Sequence, residues 1–303
     1  ALGEMASTPL IDVIYSGGKG DQSFIDSAYR GLLQAKENHT FAVQEFSIYN
    51  ASSDPIPEID GPNGETPVMV LLVGSPLTGM AQTIATANSA VPVIGVDTDP
   101  LTGNNTRTIR FSMYGSSYLA GIIAADQTST GKIAVVAGRE SPVMDEFIAG
   151  FSEGANQSEK EVTLTTAYVA DDNSGFWSPD KAAAIARTLS SNGTDLIFTV
   201  AGGSGTGVID LARNTSGLRI IGVDSDQSVL GPEVVIASAV KNLDQVVNRE
   251  ITSVMQGSFT PGTVVTGLAD NGSGVLINPR FSTCSPLISG RYEEAIAAEK
   301  QYN

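Results

Sequence analysis

The apolar positions fall in short dense runs, and the stretches between them carry helical periodicity. The first run, LIDVIY at 10–15, is apolar enough for a strand covered on both faces. It leads into a turn in which Gly17, Gly18 and Gly20 permit a sharp change of direction. A helix follows, with Asp21 or Ser23 as its cap and with Ser27, Ala28 and Leu32 along it. Phe24 is expected in a loop at the carboxyl end of the first strand, where open parallel sheets bind ligands. The alternative is a Phe packed under the first helix.

The same alternation continues along the chain. Strands are predicted at 41–49, 68–74, 91–97 and 106–111, and helices at 77–88 and 116–127. Residues 50–67 carry four prolines and several acids, which predicts an irregular connection. From 131 the pattern restarts. Strands at 131–138, 161–169, 195–201 and 218–224 interleave with helices at 142–157, 179–191 and 205–214, and Pro179 suits a first helical turn. A strand at 234–242, a helix at 242–256, short strands at 263–268 and 274–278 and a helix at 290–300 complete the pattern. Strands alternating with helices of about a dozen residues signal right-handed βαβ units. The fold class is α/β, with two doubly wound parallel-sheet lobes.

An internal repeat supports the division. Residues 69–100 parallel 196–227; both run strand, Gly/Ser loop, helix, strand, and both end in IGVD-x-D. Asp97 and Asp224 are therefore equivalent strand ends. Ser75 in the first Gly/Ser loop, and Gly202 and Gly203 in the second, join them as candidate ligand contacts. The expected boundaries put residues 1–111 plus 241–259 in the first lobe and 112–240 plus 260–303 in the second, with a ligand cleft between them. Hinge bending is expected near 111–115, 238–241 and 259–263.

Composition narrows the function. A net charge of −16 over 303 residues argues against nucleic acid and anionic membrane surfaces as partners. One cysteine, Cys284, leaves no internal disulfide, and one histidine, His39, leaves little for a zinc site or a histidine-based triad. No apolar run approaches the roughly 18 residues of a membrane span. The opening ALGEMASTP has the small, polar character of a tether. Seven N-x-S/T sequons begin at Asn38, Asn50, Asn104, Asn156, Asn192, Asn214 and Asn271. Chance would give roughly three, so the surplus favours an exported chain; a Ser/Thr-rich surface without glycans is the other reading.

The loop GGSGTG at 202–207 suggests a dinucleotide fingerprint, with Asp224 where a ribose-binding acid would sit. Its spacing fails, because the third glycine falls on Val208. No G-x-S-x-G elbow and no catalytic set emerge, so neither an enzyme nor a cofactor is expected. Asp97/Asp99 and Asp224/Asp226 each read as one ligand contact plus one turn residue. Phe24 from one lobe and Phe176 or Trp177 from the other could sandwich a flat ring. Asp224 can accept from a sugar diol and Lys241 can donate, or the two form a hinge salt bridge. Trp177 could equally be core filler.

Longer stretches carry a family likeness. GGKGDQSFIDSAYRG, SSYLAG (116–121), PVMDEFIAGFSEGA (142–155), FWSPDKA (176–182), AGGSGTGVIDLA (201–212), IIGVDSDQ (220–227) and SAVKNLDQVV (238–247) follow one order. In that order they resemble the basic membrane protein family, the PnrA-like purine nucleoside-binding lipoproteins of ABC transporters. The resemblance implies a type I periplasmic-binding-protein fold, an extracytoplasmic place, an N-terminal lipid anchor and an ABC permease as partner. It implies a purine nucleoside (adenosine, guanosine or inosine) as ligand. By the same resemblance Phe24 is the first base-stacking aromatic and Trp177, or Phe176, the second. Asp97 is then the cleft acid of the first lobe, and Asp224 with Lys241 the ribose-binding pair. Where the family reads SFNQ this chain reads SFID, so Ile25 and Asp26 replace amides near the base edge. The rivals are a ligand-sensing ectodomain with the same fold, a nucleoside hydrolase or dehydrogenase, or a sugar or other polar metabolite as ligand.

Overall fold

The computed structural model describes residues 7–303; residues 1–6 of the expected tether lie outside them. The chain opens with β1 (Leu10–Tyr15), α1 (Phe24–Asn38), β2 (Ala42–Ser47), β3 (Met69–Val73), α2 (Thr78–Ala87), β4 (Val93–Val96) and β5 (Thr106–Phe111). It continues with α3 (Tyr114–Gln127), β6 (Lys132–Ala137), α4 (Pro142–Ala155), β7 (Thr163–Tyr168), α5 (Pro179–Ser191), β8 (Leu196–Val200), α6 (Gly205–Arg213), β9 (Arg219–Asp224) and β10 (Val235–Lys241). It ends with α7 (Leu243–Met255), β11 (Gly262–Thr266), β12 (Ser273–Ile277), α8 (Ser285–Ser289) and α9 (Tyr292–Tyr302). Among the described residues no helix is long and apolar enough to cross a membrane.

The strands form two six-stranded sheets, ordered β11-β5-β4-β3-β1-β2 and β12-β10-β9-β8-β6-β7. The central pairings are parallel, and β12 runs antiparallel to β10. Central strands such as β3 and β8 are buried at every residue, which explains their unbroken apolar runs. Each sheet is covered on both faces. On the second, Val135, Phe198 and Ile221 pack into a core with Leu119, Phe147 and Phe151. On its other face Ile197 and Ile220 pack with Ala182, Ala186, Val208 and Ile209. The small residues of α3 do what their size suggests: a Cβ on Gly121 would lie 2.1 Å from the Phe151 carbonyl oxygen, so α3 and α4 approach only because it is absent.

The chain divides into two compact units. Among the described residues, unit 1 comprises 7–20, 25–110 and 243–265; unit 2 comprises 21–24, 111–242 and 266–303. Lys241, expected in the first lobe, lies in unit 2, because β10 stays hydrogen-bonded in the second sheet through Lys241, whose register partner is Ser273. Residues 260–265, expected in the second, lie in unit 1, where β11 borders β5. The chain passes between units at 20–21 and 24–25, around the short segment 21–24, and at 110–111, 242–243 and 265–266, the last three a few residues from the expected bends. Residues 50–67 contain no helix. Several boundaries move by one or two residues: α3 begins at Tyr114, α4 ends at Ala155, β4 begins at Val93, and the last helix begins at Tyr292 after the short helix α8, which has too few residues for a periodic signal.

In unit 1 one polar side chain sits where the pattern calls for an apolar one. Asp12, in the middle of β1, is fully buried. Gln44 Nε2 donates to its Oδ1 at 3.0 Å and to the Ile59 carbonyl at 3.2 Å, tying β1 and β2 to the proline-rich connection. Burial raises the Asp12 carboxyl from the ordinary 3.8 to about 6, with nearby Asp60 adding to the rise and the Gln44 bond opposing it.

Candidate functional site

The carboxyl edge of the second sheet gathers most of the candidate residues. Residues 21–24 form a short turn within unit 2, in which the Asp21 carboxylate accepts from the Ser23 N–H at 3.0 Å. The Ser23 hydroxyl, one of the two cap candidates, donates to Asp224 Oδ2 at 2.7 Å. The Ser225 hydroxyl donates to the Gln22 carbonyl at 3.3 Å, a second tie between this turn and the end of β9. Phe24, expected in a loop, is the first residue of α1 and is half-buried. Helical structure starts there because Asp21 has already fixed the preceding turn.

Asp224 takes a left-handed backbone conformation, φ 68°, and so does Asp97 at the end of β4, φ 58°. The two members of the IGVD-x-D repeat therefore share geometry as well as sequence. Aspartate tolerates this region better than most residues because its short side chain can bond locally. Both side chains are half-buried, while the following Asp99 and Asp226 are exposed. Asp226 accepts from the N–H and hydroxyl of Ser228 at 3.0 and 2.6 Å, the turn role expected of it.

Lys241 ends β10 only 4% exposed. Three aromatic rings surround its ammonium: Phe24 and Phe111 with centroids at 5.5 Å and Phe147 at 5.7 Å. Ring faces at this range attract a cation. Sequence reasoning missed Phe111 and Phe147, which lie within the predicted strand 106–111 and helix 142–157.

The remaining aromatics sit on a shelf of glycines. The connection between β7 and α5 crosses the ends of β6 and β8 at very short range. A Cβ on Gly175 would lie 1.8 Å from the Gly138 oxygen, and one on Gly138 would lie 2.3 Å from the Phe176 ring. Gly202, at φ 53°, and Gly203 lie beneath the Phe176–Trp177 backbone, with Trp177 ring carbon 3.5 Å from a Cβ built on Gly203. Ser204 Oγ locks the arrangement, donating to the Gly175 oxygen and accepting from the Ser178 N–H at 2.5 and 2.8 Å. Gly202 and Gly203 thus support the aromatics. Phe176 is half-buried against the apolar core, whereas Trp177 is 42% exposed and presents its indole to solvent.

Unit 1 contributes separately. Its Ser75 is exposed in the turn after β3, where its carbonyl accepts from the Thr78 hydroxyl at 2.8 Å. Of the two residues replacing the expected amides, Ile25 is buried, and Asp26 Oδ1 accepts from the Gly20 N–H at 2.7 Å, bracing the glycine turn.

Residues 8–303 match the family model of PnrA-like ABC transporter substrate-binding proteins. The chain is similar to Basic membrane protein A of Borreliella burgdorferi, 28% identical over 280 residues, which is 90% of this chain and 80% of that protein. It is likewise 28% identical over 276 residues to the ABC transporter nucleoside-binding protein BmpA of Lactococcus lactis, covering 85% of this chain and 78% of that one. Among solved structures, a solute-binding protein of an ABC transporter system from Aeropyrum pernix aligns with a TM-score of 0.75 at 23% identity, over 97% of this chain and 86% of that one. Another from Conexibacter woesei gives 0.76 at 17%, over 96% and 97%. At these identities the structures speak to the fold, which is that of type I periplasmic binding proteins.

Proposed function

The chain belongs to the PnrA-like family of ABC transporter substrate-binding proteins, and from that premise we propose that it captures a purine nucleoside outside the cytoplasmic membrane and delivers it to an ABC permease. The family is one of binding proteins, not enzymes. The observation that carries the nucleoside reading is the composition of the unit 2 carboxyl edge. A solvent-facing indole, a carboxylate oriented by Ser23 and an ammonium held among three rings offer a surface for a base and two opposite charges for hydroxyls. A stacked base contributes on the order of 1–3 kcal/mol, and a diol can donate two hydrogen bonds to one carboxylate.

In this reading Trp177 stacks on the base, Phe24 offers the second ring, and Asp224 and Lys241 hold the ribose. Phe176, Gly202 and Gly203 shape the shelf, and Asp21 and Ser23 fix the turn beside Asp224. Asp97 and Ser75 of unit 1 are proposed as further ligand contacts. An N-terminal lipid anchor would keep the protein near its permease. Binding draws the population toward the ligand-holding form that the permease reads. Titration calorimetry with adenosine, guanosine and inosine tests the proposal. Heat and saturation are expected with at least one of the three; silence from all up to millimolar concentration would refute it.

A further inference from the structure

The sequons hold a regularity that ligand binding does not require. All seven sequon asparagines are exposed; of those outside sequons Asn63, Asn173 and Asn303 are exposed too, but Asn278 is buried and Asn88, Asn105, Asn242 and Asn248 are half-buried. Their amide nitrogens differ as well. Outside sequons Nδ2 is commonly committed to the fold: Asn105 donates to three carbonyls, Asn278 to two, and Asn88 to the Ile84 oxygen. Within sequons only Asn214 donates from Nδ2 among the described residues, to the Asp210 carbonyl at 3.0 Å on an exposed helix end. An acceptor amide must be reachable and able to leave its hydrogen bonds, and these are.

Their placement is also uneven. Asn38, Asn156, Asn192 and Asn214 lie at the carboxyl ends of α1, α4, α5 and α6, and Asn104 lies in the turn just before β5. In a βαβ unit the carboxyl end of a helix returns the chain to the amino ends of the strands. These five therefore lie, each within its own unit, on the edge opposite the one bearing Asp97 or Asp224. Asn50, after β2, and Asn271, before the antiparallel β12, lie toward the carboxyl edge instead.

We propose that Asn38, Asn104, Asn156, Asn192 and Asn214 are acceptor sites for N-linked oligosaccharide. The co-substrate is a lipid-phosphate-activated oligosaccharide delivered by a membrane oligosaccharyltransferase. The bond from the anomeric carbon to the phosphate oxygen breaks, and the lipid phosphate leaves with its electron pair. A bond from the anomeric carbon to Nδ2 forms, and Nδ2 gives up one proton. The modification requires an extracytoplasmic chain but no particular ligand. Its failure would leave the nucleoside reading standing.

The test is glycopeptide mass spectrometry on the full-length protein purified from its native host. Glycan mass on at least three of the five asparagines is expected. Single Asn→Gln variants at each occupied site should remove one glycan's mass apiece, with nucleoside affinity within about twofold of wild type. Fewer than three occupied sites among the five, or glycan confined to Asn50 and Asn271, would overturn the proposal.

Discussion

The Ser23 hydroxyl donates a 2.7 Å hydrogen bond to Oδ2 of Asp224, joining a turn and a strand end 201 positions apart. The bond fixes one carboxylate oxygen and orients the other. A hydrogen bond to a charged group contributes about 1.5–3 kcal/mol. Ser23→Ala should therefore weaken nucleoside binding by about tenfold. Asp224→Asn, which keeps a residue tolerant of the left-handed backbone, should weaken it by about a hundredfold. Asp226→Ala should change affinity little, since Asp226 serves the Ser228 turn. Calorimetry on the three variants ranks them, and equal losses at 224 and 226 would remove Asp224 from the binding role.

Phe176 and Trp177 are neighbours with different surroundings. Trp177→Ala should cost about 1–3 kcal/mol of binding with a small change in Tm. Phe176→Ala should lower Tm by several degrees, because its ring packs on the second-sheet core. Paired thermal melts and titrations separate the two. A stability loss at Trp177 with unchanged affinity would show that its indole is structural.

The glycine shelf can be probed by a single methyl group. A Cβ at Gly175 would fall 1.8 Å from the Gly138 carbonyl oxygen, so Gly175→Ala must displace the loop carrying Phe176 and Trp177. The expected outcome is nucleoside affinity lowered by more than tenfold with far-ultraviolet circular dichroism unchanged. Wild-type affinity would mean that the loop position does not matter to the ligand.

Asp12 gives a pH dependence whose sign follows from its raised pKa. Its carboxyl titrates near 6 when folded, against 3.8 ordinarily, so the folded chain binds more protons between these values. This contribution to stability is fully present below about pH 3.8 and is lost as pH rises through about 6. The loss is on the order of 2–3 kcal/mol. Asp12→Asn should remove it, so the variant should gain in Tm relative to wild type on going from pH 4 to pH 7. Parallel melting curves across that range would contradict the assignment.

The two parallel sheets were legible in the sequence because each rests on local signals. Buried strands are continuous apolar runs, and helices between them keep their period and their caps. The strand at 106–111 and the helix at 179–191 match those signals to the residue. The acid pair of the IGVD-x-D repeat was legible too, and its two members share a left-handed backbone. Asp12 was hidden inside an apolar run, because one polar residue does not break a strand signal.

What the sequence determined by itself was the order of elements, the doubling of the fold and the residue types at the strand ends. Those follow from periodicity and turn chemistry, which act over a few neighbouring positions. Tertiary structure alone decided that Ser23 holds Asp224 and that positions 24, 111 and 147 converge on the Lys241 ammonium. It also decided that Phe176 turns into the core while Trp177 faces water. Such pairings depend on the register of strands and the depth of loops, which long-range packing sets and no local pattern encodes.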